Sequence, residues 1–102
     1  MSDAGFWRDH SGRLTFDVPT VLAVDYPAVC RSIVEAFSIS QTDSLVVGPD
    51  QMFWDFRLGD QEIALDWDNW MGFMVVSRTV NADSLVRDIS GWLQSTLSDK
   101  ST

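Results

Sequence analysis

The stretch from Gln51 to Ser77 constrains the fold most. It reads as a three-stranded meander carrying Phe53, Trp54, Phe56, Trp67, Trp70 and Phe73, interleaved with Asp55, Asp66 and Asp68. A two-residue loop at Gly59-Asp60 sets Leu58 opposite Gln61. The register that follows places Arg57 against Glu62, Phe56 against Ile63 and Trp54 against Leu65, so charge meets opposite charge and large apolar side chains meet each other. A slip of one residue spoils both matches. A second turn at Asp68-Asn69 is expected to return the chain through Trp70 to Ser77, with Ile63 facing Met74 and Leu65 facing Gly72. The missing side chain of Gly72 then leaves room for Trp67, Trp70 or Trp54 to lie across it.

Before the meander, Arg13 to Val18 alternates with Leu14, Phe16 and Val18 on one face, which is strand periodicity. Ser11-Gly12 can turn a hairpin from Phe6-Trp7-Arg8. A helix follows, with Asp25 as N-cap and Pro27 in the first turn, where a missing N–H matters least. Its apolar stripe is Tyr26, Val29, Cys30, Ile33 and Phe37, and the polar run Ser38 to Asp43 ends it. Ser44 to Gly48 is a short β-branched strand closed by the turn Gly48-Pro49-Asp50. After the meander, Asn81 caps a second helix whose apolar face is Leu85, Val86, Ile89, Trp92, Leu93 and Leu97. Gly91 costs such a helix about 1 kcal/mol, which suggests a close approach by another element.

These elements predict a single α+β domain over residues 1–102, with a frayed tail at Ser98 to Thr102. The architecture is a two-layer sandwich: an antiparallel meander sheet of about four to five strands, with two helices packed on one face. The helices are expected to cover Trp54, Phe56, Leu58, Ile63, Leu65, Met74 and Val76.

Alternation assigns Phe53, Asp55, Asp66, Met71, Phe73 and Val75 to the opposite face. One apolar face suffices for a core, so a second asks what covers it. An apolar patch rimmed by polar groups is a mark of an interaction site, and aromatic residues and Met are enriched in interface cores. The candidate binding residues are therefore Phe53, Asp55, Asp66, Asp68, Trp70, Met71 and Phe73. Two other covers compete with a partner: the N-terminal segment with Phe6, Trp7, Leu14 and Phe16, and a second copy of the chain packed sheet to sheet.

Composition narrows the partner. The 102 residues carry a net charge of −8, with Lys100 the only lysine and the arginines scattered from Arg8 to Arg87. Phosphate-backbone binding needs clustered basic residues, which argues against nucleic acid. An acidic surface instead steers a basic partner. The single cysteine, Cys30, precludes an internal disulfide and fits a reducing compartment. The N-terminus lacks a signal-peptide pattern, and no window approaches the ~20 apolar residues of a membrane span. The expectation is a cytoplasmic protein without membrane contact.

Catalytic and metal signatures are weak. Asp66-Trp67-Asp68-Asn69 resembles the start of a calcium loop, but Met71 stands where glycine is needed and Ser77 where glutamate is needed. Asp68-Asn69 is better read as a turn. Asp55 and Asp66 are diagonal neighbours on one sheet face, ~7–8 Å apart by strand geometry, a spacing that could serve a hydrolase, but no cleft is evident. His10 lies in a polar segment and Cys30 in an apolar stripe, so neither relay nor zinc site is built. No glycine-rich phosphate loop occurs. No cofactor and no enzymatic activity are expected.

The reading is therefore a small acidic protein-binding module, most concretely a bacterial immunity protein or inhibitor. The alternatives are a homodimeric secretion chaperone or adaptor and, resting on Asp55 and Asp66 alone, a small hydrolase. The helix–meander–helix order is similar to that of double-stranded RNA-binding domains, without their basic second helix. It is also compatible with type III secretion chaperones, which are likewise small and acidic.

Overall fold

The computed structural model describes residues 5–100, with side chains described through Thr96. Seven strands and two α-helices follow one another as β1 (Phe6–Arg8), β2 (Leu14–Val18), α1 (Tyr26–Phe37), β3 (Ser40–Gln41), β4 (Val46–Val47), β5 (Gln51–Leu58), β6 (Gln61–Asp68), β7 (Gly72–Ser77) and α2 (Asp83–Lys100). The order in the sheet is β1-β2-β7-β6-β5-β3, with β4 also on β5, and every pairing is antiparallel. This is the α+β architecture expected, with a wider sheet. The extra strands are short: β3 is the polar Ser40–Gln41, which sequence alone assigns to the end of the helix, and it shares the edge of β5 with β4.

The β5–β6 hairpin has the register derived above, from Leu58 opposite Gln61 to Trp54 opposite Leu65. Gly59 supplies the positive φ of 62° that a II′ turn requires at its first central residue. The β6–β7 register differs from expectation. Asp68 pairs with Gly72, Leu65 with Val75 and Ile63 with Ser77, because the loop has three residues, Asn69 to Met71, rather than two. The Asp68 carboxylate accepts hydrogen bonds from the Trp70 and Met71 amides (2.9 and 2.6 Å) and so fixes the wider loop. An odd shift inverts a strand's faces. Phe73 and Val75, expected on the second face, are fully buried in the core, and Met74 and Val76 exchange places with them.

Gly72 is likewise used differently from the expectation of an open space for tryptophan. Its φ is 77°, and a Cβ there would lie 2.6 Å from the Pro19 Cα, so the backbone after β2 occupies that space. Trp67 instead donates its indole N–H to the Val21 carbonyl (2.9 Å), and Trp70 stands 78% exposed at the loop tip.

Both helices lie on one face. Tyr26, Cys30 and Ile33 of α1 are fully buried, and the Tyr26 hydroxyl donates to the Leu65 carbonyl. Leu85, Val86, Ile89 and Leu93 of α2 join the same core with Leu14, Phe16, Phe56, Ile63, Leu65, Phe73 and Val75. An edge-on contact of Phe37 with Trp92 joins the helices to each other. The caps are simpler than expected. Neither Asp25 nor Thr79 makes a side-chain capping bond, and a 3-10 turn, Val80–Ala82, leads into α2 where Asn81 was expected to cap it. A Cβ added at Gly91 would meet no packing neighbour within 4 Å, so no close approach explains the glycine. The side chains from Leu97 onward, and Ser101 and Thr102 of the expected frayed tail, lie outside the described residues.

Candidate functional site

The N-terminal strands do not fold over the second face. They extend the sheet beyond β7, with Phe16 opposite Val75, and send Leu14 and Phe16 into the helix-side core. Among the described residues neither helix covers the other face, because α1 and α2 share a side.

Two cross-strand rows form the middle of this open face. One runs Trp7, Thr15, Val76, Ala64, Asp55, and the next runs Asp17, Met74, Asp66, Phe53, Val46. Thr15 and Ala64, small residues in this row, are each 1% exposed. Phe53 is 40% exposed and Val46 57%. The Trp7 indole donates to the Asp17 carboxylate at 3.0 Å, holding the ring over its neighbours in the sheet.

Asp66 sits at the centre of this apolar surface, between Phe53 and Met74. Its Oδ1 is sealed from solvent and has no hydrogen-bond partner. Burial, and secondarily the charge of Asp55, push its pKa up to about 7; the Trp54 backbone amide and Arg78 pull the other way. Asp55 forms a bridge to Arg78 Nη1 at 3.4 Å. An uncompensated carboxylate among apolar side chains is costly when ionised, and a cationic or hydrogen-bond-donating group relieves the cost.

Of the residues singled out from sequence, Phe53, Asp55 and Asp66 come together on this face, and Asp55 and Asp66 are the diagonal neighbours anticipated. Asp68 spends its carboxylate on the loop, Met71 is half-buried in that loop, Trp70 projects from its tip, and Phe73 belongs to the core. Sequence reasoning missed Trp7, Asp17, Met74 and Val76. The alternation Leu14-Thr15-Phe16-Asp17-Val18 does carry a signal for Asp17, since it must oppose whatever face buries Leu14 and Phe16.

Chemistry beyond binding finds little support in these side chains. Cys30 is buried against Tyr26, and burial pushes its thiol up to about 12, so it is packing rather than a nucleophile. No group of three or more potential metal-binding side chains occurs among the described residues. No helix of the described residues is long and apolar enough to cross a membrane. No family model matches the chain, and no curated protein or solved structure matches it significantly.

Proposed function

We propose that this chain is a non-enzymatic protein-binding module, most concretely an immunity protein or inhibitor, whose open sheet face takes a basic partner. The observation carrying this reading is Asp66, half-buried amid Phe53, Met74 and Val76, with its Oδ1 sealed from solvent and without a hydrogen-bond partner, on a face that neither helix covers among the described residues. A Lys or Arg of the partner supplies what the site lacks: an apolar stem against the aromatic and aliphatic side chains, and a cationic head for the carboxylates. The net charge of −8 speeds the encounter, while Phe53, Trp7 and Met74 contribute the contact area.

The test is titration of the basic product of an adjacent gene against the wild-type chain, Asp66→Lys and Phe53→Ala. Weakening of at least about tenfold by each change is expected, the loss typical of a buried anchor. Unchanged affinity in both removes the face from consideration. Light scattering separates the alternative of a sheet-to-sheet homodimer, in which Asp17, Asp55 and Asp66 would be brought against their own copies; a concentration-independent monomer eliminates it.

A further inference from the structure

We infer that the cleft between the β1–β2 loop and the β7–α2 junction is a binding site for a phosphate group. It encloses about 180 Å3 and is lined by Arg8, Ser11, Arg13, Ser77, Arg78 and Asp83 among others. Three arginines thus face one cavity in a chain whose Lys and Arg number only 7 against 15 acidic residues. They come from sequence positions far apart, so their meeting is a product of the fold.

Two of them follow the end of the β2–β7 ladder. Thr15 and Val76 form the last pair at this end of the β2–β7 ladder; Arg13 and Arg78 each lie two residues beyond it, and both line the cleft. Of these two, only Arg78 has a carboxylate within bridging distance, Asp55 at 3.4 Å; Arg13 has none among the described residues. Arg13 thus lines the cleft as a cation without a bridging carboxylate among the described residues, and an anion supplies the missing countercharge.

The loop presenting Arg13 is held firmly. The Asp9 amide donates to the Arg13 carbonyl (3.1 Å), the Gly12 amide to the Asp9 carbonyl (2.8 Å), and the Asp9 carboxylate accepts from the Ser11 and Arg13 amides (2.9 and 3.0 Å). Arg8 fastens this loop to α2, one guanidinium nitrogen donating to the Gly12 carbonyl at 3.0 Å and another to the Asp83 carboxylate at 2.9 Å. Arg8 is therefore a positioning residue that also neutralises the one carboxylate lining the cleft. Arg13 and the unbonded side of Arg78 are left to hold the ligand. Two guanidinium forks offer more donors than one planar carboxylate accepts, and they match the several oxygens of a phosphate dianion.

The site does not depend on the reading of the open face. It is tested on the full chain by following backbone amide resonances during titration with inorganic phosphate, O-phosphoserine or acetate at constant ionic strength. Saturable shifts at Gly12, Arg13 and Arg78 with phosphate, and weakening of at least about tenfold in Arg13→Gln and in Arg78→Gln, are expected. Both variants alter exposed side chains, so an unchanged spectrum elsewhere verifies the fold. Tighter binding of O-phosphoserine assigns the site to a phosphomonoester, and tighter binding of inorganic phosphate assigns it to the free ion. Non-saturating shifts, equal affinity in both variants, or acetate binding as well as phosphate overturns the inference.

Discussion

Asp66 stands directly opposite Phe53 across the β5–β6 ladder, an acid paired with an aromatic ring in the middle of the uncovered face. The pairing joins stability and recognition in one residue. Ionised Asp66 is a penalty to the free chain and an attraction for a cation. Binding of a basic partner should accordingly strengthen as the pH rises through about 7, where the native carboxyl loses its proton.

The same residue sets a pH dependence of folding. Its native pKa of about 7 lies above the ~3.9 of an unfolded aspartate. Between these values the native state binds more protons than the unfolded one, so this group's contribution falls as pH rises through the window and is most unfavourable above it. Asp66→Asn removes the ionisation. Thermal denaturation should show the variant more stable than wild type by about 1–3 kcal/mol at pH 8. The gap should shrink steadily towards pH 4. A pH-independent difference would mean that the carboxyl is ionised throughout.

Two glycines with opposite surroundings should respond oppositely to alanine. At Gly72 a methyl group meets the Pro19 and Val18 backbone at a positive φ of 77°. Gly72→Ala is expected to destabilise by about 2 kcal/mol or more, the strain of a disallowed backbone adding to overpacking. Gly91 lies exposed in α2 with open space where the Cβ would go. Gly91→Ala should stabilise by about 0.5–1 kcal/mol through helix propensity. Chemical denaturation curves of the two variants read both signs directly.

The Asp68 carboxylate should be what holds the three-residue loop. Asp68→Ala leaves the Trp70 and Met71 amides without their acceptor. A loss of about 1–2 kcal/mol is expected, with hydrogen exchange accelerated at the β7 end nearest Gly72. Unaltered protection there would place control of the loop in Gly72 alone.

This loop also marks where the sequence ceased to be legible. The Gly59-Asp60 hairpin and all eight β5–β6 pairs follow from local turn chemistry and cross-strand matching, which act over a few residues. Both helices follow from their apolar stripes. At Asp68-Asn69 the same residues suit a two- or a three-residue turn, and alternation cannot decide, because Phe73-Met74-Val75-Val76 is apolar at every position. The deciding contact is the approach of Pro19 to Gly72, more than fifty residues distant in the chain. For the same reason Asp55 and Asp66 were readable as site neighbours on one well-registered hairpin. Trp7, Asp17, Met74 and Val76 depended on pairings between remote strands.

Phe53 and Phe73 bring that distinction to a measurable contrast. Phe73 is fully buried and packs its ring against Tyr26 with centroids 5.9 Å apart. Phe73→Ala should cost about 3–5 kcal/mol as a cavity in the core. Any loss of partner binding it causes should then track unfolding. Phe53 is 40% exposed on the open face. Phe53→Ala should cost about 1 kcal/mol or less in stability, while weakening partner binding in a chain that remains folded. Denaturant midpoints measured beside affinities separate the two behaviours. Equal stability losses would mean that Phe53 is buried by something other than the elements described, and that the face is already covered.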